Sequence, residues 1–171
     1  MGIKEYGFSS KKPLSEANYF FNKLDELGIN NIDAAPSYGN IEKEIGYFHV
    51  QNLKRFRIWT KVDGLEKNSQ TNVDRIISSA KNSISKIHCK NLFCLYLHQN
   101  DLDIISDNYV RNGLRHIKEN NLSTLTGVSI YSEEELRLSL TLDYVDVIQL
   151  PVSATNTYLY NVAKKNNINN K

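Results

Sequence analysis

The sequence predicts an α/β fold, a parallel sheet forming an incomplete TIM-type (β/α) barrel with about six of the eight strand-helix units that close a full one. Three observations carry this expectation. Short apolar runs alternate with stretches of helical periodicity along the chain, the order that builds a parallel sheet with right-handed crossovers. The run NLFCLYLHQND from Asn91 to Asp101 is nearly continuous in apolar character until it stops at His98, which suits a strand buried on both faces. The 8 glycines never fall into GxG or a phosphate-loop pattern, so a barrel is preferred to an open nucleotide-binding sheet.

Taken in order, Ile3 to Ser9 is the weakest strand candidate. Pro13, Leu14 and Ser15 open a helix in which Ala17, Phe20, Phe21, Leu24 and Leu27 recur at helical spacing, and Gly28 stands where a left-handed residue would end it. A short strand over Asn31 to Asp33 leads to a loop carrying Pro36 and Tyr38. A helix then opens near Asn40, with Ile41, Ile45 and Phe48 on one face. FRIWTKV, from Phe56 to Val62, is the next strand. Ser69 to His88 is the clearest helix, its Val73, Ile76, Ile77, Ala80, Ile84 and Ile87 forming one stripe. After the Asn91–Asp101 run, Tyr109, Val110, Leu114 and Ile117 mark a helix and Leu125 to Ile130 a strand. Ser132 and Glu135 have capping-box spacing ahead of a short helix with Leu136 and Leu140. Val145 to Leu150 is the last strand and Thr155 to Asn166 its helix; nothing from Asn167 onward is apolar enough to begin another.

At 171 residues the chain is expected to form a single domain, residues 1–171, able to bury most of its apolar surface. A net charge of +2, from 21 basic and 19 acidic residues, is too weak a field to argue for nucleic acid. No segment approaches the roughly 18 apolar residues of a membrane span, and MGIKEYGFSS lacks the apolar core of a signal peptide. A cytoplasmic protein without a membrane partner is expected. Cys89 and Cys94 sit in or beside an apolar run and read as reduced core thiols. His49, His88, His98 and His116 show no HxH or HExxH spacing, so no metal is expected and a metal-dependent hydrolase is disfavoured.

The segment GINNIDAAPSYGNIEKEIG, from Gly28 to Gly46, brings an acid and a phenol to one strand-to-loop junction, where side chains of parallel α/β proteins converge on ligands. It resembles the second strand-loop unit of the aldo-keto reductases through Asp33-Ala34-Ala35, Tyr38-Gly39, Glu42 and Ile45-Gly46. Ala34 departs from the hydroxyl residue usual in that family. Further along, Trp59-Thr60-Lys61-Val62 is similar to the family's Thr-Lys strand and Leu97-His98-Gln99-Asn100-Asp101 to its Leu-His strand end. Gly127-Val128-Ser129 is similar to its Gly-Val-Ser-Asn, and Val147-Ile148-Gln149-Leu150-Pro151 to its Gln-bearing sixth strand.

The resemblance implies an NAD(P)H-dependent oxidoreductase that reduces an aldehyde or ketone to an alcohol, with a catalytic tetrad at Asp33, Tyr38, Lys61 and His98. Tyr38 would protonate the carbonyl oxygen. A free tyrosine has a pKa of about 10, too high for shuttling protons at neutral pH, so the Lys61 ammonium would favour the phenolate and Asp33 would hold Lys61 in place. His98 would orient the substrate carbonyl and help define the hole for its developing charge. Singly, these residues have plainer readings as a capping acid, a core phenol with a wet hydroxyl, a solvated lysine and a core histidine. Together at the ends of consecutive strands they read as a site. Ser129 and Gln149 would hold the nicotinamide amide of NADPH or NADH. Ile130 replaces the family's Asn there, and an amide left partly unpaired costs about 1–3 kcal/mol.

The family's seventh and eighth strands, which carry the ring-stacking aromatic and the phosphate and adenosine site, have no counterpart in the sequence. A C-terminally truncated member with weakened cofactor binding is therefore expected. Two functions are open to it. One is a reductase of a small carbonyl compound, its barrel completed by self-association or a second chain. The other is an inactive remnant or pseudoenzyme that binds a partner through its open sheet edge.

Overall fold

In the computed structural model, which describes residues 14–165, helices and parallel strands alternate along the chain. The first helix, α1 (Leu14–Glu26), buries Ala17 and Phe21. It ends where Gly28 adopts φ +71°, its N–H bonded to the Asp25 carbonyl while the Ile29 N–H reaches back to Leu24. That is the left-handed stop expected of a glycine at this position. Leu27 lies beyond the helix end and is 73% exposed, so it leaves the apolar stripe expected for it. The strand candidate at Ile3 to Ser9 falls outside the described residues, as does Asn166 at the end of the last helix expected.

Strands β1 (Asn31–Asp33), β2 (Arg57–Val62), β3 (Leu92–Leu97), β4 (Ser123–Ser129) and β5 (Val147–Gln149) form a five-stranded sheet in chain order, every pair parallel. The sheet curls into a half-barrel, the incomplete (β/α) barrel that the sequence predicts. Between and after the strands lie α2 (Ile41–Gln51), α3 (Thr71–Ile87), α4 (Leu102–Ile105), α5 (Asn108–Glu119), α6 (Glu133–Thr141) and α7 (Tyr158–Lys165). The one-turn α4 is absent from the sequence expectation. Its four residues are too few to show periodicity, and Ile104 and Ile105 hold it by burial.

Residues paired across parallel strands project from the same face. Thr60, Leu95 and Thr126 form one such row, and Val62, Leu97 and Val128 the next; all are buried. On the opposite face Lys61, Tyr96 and Gly127 are paired. The rings of Trp59 and Tyr96 stack there at 5.9 Å, and Tyr96 occupies the space that Gly127 leaves by having no side chain. A Cβ at Gly127 would stand 2.6 Å from the Tyr96 ring and 2.5 Å from the Val147 carbonyl oxygen.

Polar groups also cross this core. Glu42 of α2, buried to 3%, accepts hydrogen bonds from Thr60 on β2 (3.0 Å) and Ser83 on α3 (2.7 Å). His49 is fully buried, its Nδ1 2.9 Å from the Ile87 carbonyl oxygen and its Nε2 accepting from the Phe56 N–H at 3.2 Å. Because Nε2 accepts, Nδ1 must donate, so both partners require the neutral ring. Burial lowers the His49 pKa below its ordinary value. Cys94 is buried and Cys89 partly so; both thiols are free, and burial raises them to about 12 and about 11. At neutral pH they are inert core thiols.

Candidate active site

Every candidate site residue lies at the carboxyl ends of the strands or in the loops that follow. Asp33 ends β1, Lys61 is next to last in β2, His98 follows β3, Ser129 ends β4 and Gln149 ends β5. Tyr38 sits in the β1–α2 loop, where its N–H bonds the Ala35 carbonyl at 3.0 Å and Gly39 turns the chain at φ +69°. That turn folds the phenol back over the end of the sheet.

Lys61 is the centre of the arrangement. Its side chain is only 2% exposed, and its ammonium bonds both oxygens of Asp33 at 2.8 Å and the Ala34 carbonyl oxygen at 3.1 Å. All three ammonium hydrogens thus have acceptors. The same nitrogen lies 5.0 Å from the centroid of the Tyr38 ring, within cation–π range. Asp33 remains 43% exposed, so the acid side of the pair is open to a ligand. Ala34, the departure from the family's hydroxyl, is fully buried in the apolar core; its backbone oxygen accepts from Lys61 and its N–H bonds the Trp59 carbonyl.

His98 completes the cluster. Its ring meets Tyr38 edge to face at 6.2 Å, and its backbone N–H bonds the Val62 carbonyl at 3.1 Å. Its Nδ1 lies 2.7 Å from an Asp63 carboxylate oxygen, though off the line of a hydrogen bond. Asp63 was not among the residues expected from the sequence. It stands just past the end of β2, and the strand-end rule that finds Lys61 would find it if carried past Val62.

A cavity of about 220 Å³ joins Asp33, Tyr38 and Lys61 to Ser129, Gln149 and Tyr131, with Leu150 and Pro151 as an apolar wall. A second, of about 270 Å³, shares Asp33 and Gln149 and is floored by Trp59 and Tyr96. The first is smaller than the roughly 300–1,000 Å³ of a typical ligand pocket, so it suits one ring with its substituents and not a whole dinucleotide. Ser129 and Gln149 are register partners, which puts a hydroxyl and an amide side by side on its wall. Ile130 is fully buried, so no polar side chain enters the cavity from that position. Tyr131, 62% exposed, is a wall residue missed by the sequence reading. His98 borders the phenol and is not part of this cavity wall.

Among the described residues, no three His, Cys, Asp or Glu side chains gather as they would around a metal ion. No helix among them is long and apolar enough to cross a membrane.

A model of the aldo/keto reductase family matches residues 1–123. No curated protein sequence matches the chain. Among solved structures, a protein of Pseudomonas aeruginosa assigned to the aldo-keto reductases superposes with a TM-score of 0.78 at 22% identity, over 94% of this chain and 65% of that one. An aldo-keto reductase of Bacillus halodurans in its holo form gives 0.73 at 17% identity, over 90% and 54%. The aldose reductase of Giardia lamblia gives 0.70 at 17%, over 92% and 61%. At these identities the likeness is one of fold, and the chain spans about 54–65% of the length of these structures.

Proposed function

The chain belongs to the aldo-keto reductase family, and we propose that its site reduces an aldehyde or ketone to an alcohol with NADPH or NADH, Tyr38 giving the proton. The observation that carries this reading is the buried Lys61 ammonium, held on three sides by Asp33 and Ala34 and lying against the Tyr38 ring. When bound, the reduced nicotinamide supplies the hydride.

The residues of this chain do the rest. As the Tyr38 proton passes to the carbonyl oxygen, negative charge develops on the phenol, and the Lys61 charge beside the ring stabilises it. Asp33 keeps that ammonium from swinging away, because two of its three bonds would break. His98, edge-on to the phenol, bounds the place of the carbonyl group. Leu150 and Pro151 keep water from one side. Ser129 and Gln149 would hold the carboxamide of the nicotinamide, and the adjacent hydroxyl and amide fit that group's need for both donors and acceptors. With Ile130 apolar and buried, the amide has fewer partners and the cofactor binds weakly.

The reading treats residues 1–171 as a single domain and places the reaction in the cytoplasm; the two unpaired cysteines agree with a reducing compartment. Among the described residues, the outer edges of β1 and β5 have no strand partner, and these edges favour a second reading. Unpaired strand edges recruit partners, so either a further segment, another copy or a second chain completes the sheet, or the chain is an inactive remnant that binds through that edge. Fluorescence titration of the chain with NADPH, with its mass in solution measured on the same sample, separates the two. Saturable binding is expected. No binding at millimolar cofactor would overturn the reductase reading in favour of the remnant.

A further inference from the structure

A further cavity, of about 250 Å³, shares no residue with the two at the strand ends. It lies between the start of α5 and the turn from α6 to β5, and its walls include Ser106, Asn108, Arg111, Thr141, Asp143 and Tyr144. Four buried side-chain polar atoms among the described residues lack a hydrogen-bond partner, and two of them, Arg111 Nε and the Tyr144 hydroxyl, belong to residues of this one wall. Buried polar groups are ordinarily paired. Tyr144 is only 3% exposed and burial raises its pKa, so its hydroxyl keeps its proton and bulk water does not solvate it.

The other polar groups nearby are already engaged. Ser106 and Thr141 give their hydroxyl protons to the Leu102 and Leu138 carbonyls. Arg111 and Arg115 both bond Oδ2 of Asp143, at 2.6 and 2.5 Å, so two guanidinium groups share one carboxylate oxygen. Asp107, the other acid near Tyr144, has one oxygen taken by the Val110 N–H and one by the Asn68 N–H. Asn108 opens α5, whose amino end adds partial positive charge. What the wall leaves unused is a pair of donors beside a cation.

We propose that this cavity binds a small oxyanion, a carboxylate or phosphate group, whose oxygens accept from the Arg111 Nε–H and the Tyr144 O–H together. Such a group offers the acceptors that both donors lack, and hydrogen bonds to a charged guanidinium are the strong ones. The volume falls just under the roughly 300–1,000 Å³ of ligand pockets, so the oxyanion comes with at most a small organic body. The inference does not depend on the reductase reading.

The test follows the backbone amides of Asn108 and Asp143 in the ¹⁵N-labelled chain through titrations with inorganic phosphate and with acetate, at constant ionic strength set by sodium chloride. A saturable shift at millimolar concentration is expected from at least one of the two, and the tighter binder names the group the site takes. Tyr144→Phe and Arg111→Lys should each weaken that binding by about 10-fold, the second although it keeps the charge. No saturable shift from either anion would overturn the proposal. Affinity unchanged in either variant would mean an adventitious ion only, and would overturn it too. A further measurement addresses a trapped water as the occupant. In buffer free of both anions, Tyr144→Phe removes a hydroxyl that has no partner, so its urea midpoint should not fall below that of wild type. A lower midpoint would mean that water already satisfies the hydroxyl, and the proposal would fail.

Discussion

Lys61 is nearly inaccessible, yet its ion-pair partner Asp33 stays 43% exposed. That asymmetry separates its role in the fold from its role in the chemistry. Lys61→Met fills the same space without the charge, and water can solvate the carboxylate left behind. The buried Ala34 carbonyl loses its partner, so we expect stability to urea to fall by about 1–3 kcal/mol, while turnover falls by roughly 100-fold or more. His49 gives the opposite kind of prediction. Its folded pKa is lowered from 6.5, so stability is full above that pH and is lost as pH falls below it toward the folded value. Protonation would turn a donor at Nε2 against the Phe56 N–H. Urea midpoints at pH 7.5 and 5 should show wild type losing stability on acidification. His49→Phe should lose less between the two, from a starting point about 1–3 kcal/mol lower because the Phe56 N–H and Ile87 carbonyl lose their partner. Of the site, the residues that end strands or follow them were legible in the sequence, because the carboxyl end of a parallel strand is itself a positional signal. Asp63 falls under the same signal, one residue past the end of β2, while its closeness to His98 rests on a register between β2 and β3 that no single segment carries. Tyr131 was not legible, because an exposed tyrosine beside a capping box has nothing local to distinguish it.

The elements were legible wherever a local rule decides them. Ser132 and Glu135 form the full reciprocal capping box that their spacing implies, and α3 buries Ile76, Ala80 and Ile87 along the expected stripe. What escaped is tertiary. Asn72 and Ser83 are polar residues on that buried face, kept there by Glu66 and Glu42 in other elements. β4 begins at Ser123, earlier than its apolar run, because Leu92 pairs with that residue across the sheet. Gly46 shows how closely the helices pack. A Cβ there would lie 2.0 Å from the Lys86 carbonyl oxygen at the end of α3, a backbone atom that cannot rotate away. Gly46→Ala should force α2 and α3 apart and lower stability by about 1–3 kcal/mol, read as a lower urea midpoint. An unchanged midpoint would mean that the two helices separate without cost.

At the scale of the whole molecule, one sheet positions everything: its buried face packs the helices, and its carboxyl ends bring Asp33, Lys61, Tyr38 and His98 together. The half-barrel was legible because alternation of strand and helix is a pattern of the whole chain, while the curl itself and the order of pairing are properties of the assembled sheet. The chain belongs to the aldo-keto reductases while spanning about 54–65% of the length of solved members of that fold. The central claim is that Tyr38, set against the Lys61 ammonium, is the proton donor in carbonyl reduction. The measurement that tests it most directly is carbonyl-dependent oxidation of NADPH by wild type and by Tyr38→Phe, with unfolding midpoint and cofactor affinity measured on both. Turnover should fall by about 100-fold or more in the variant, while its midpoint and affinity stay at the wild-type values. Turnover retained by Tyr38→Phe, or absent from wild type that binds NADPH, would contradict the account.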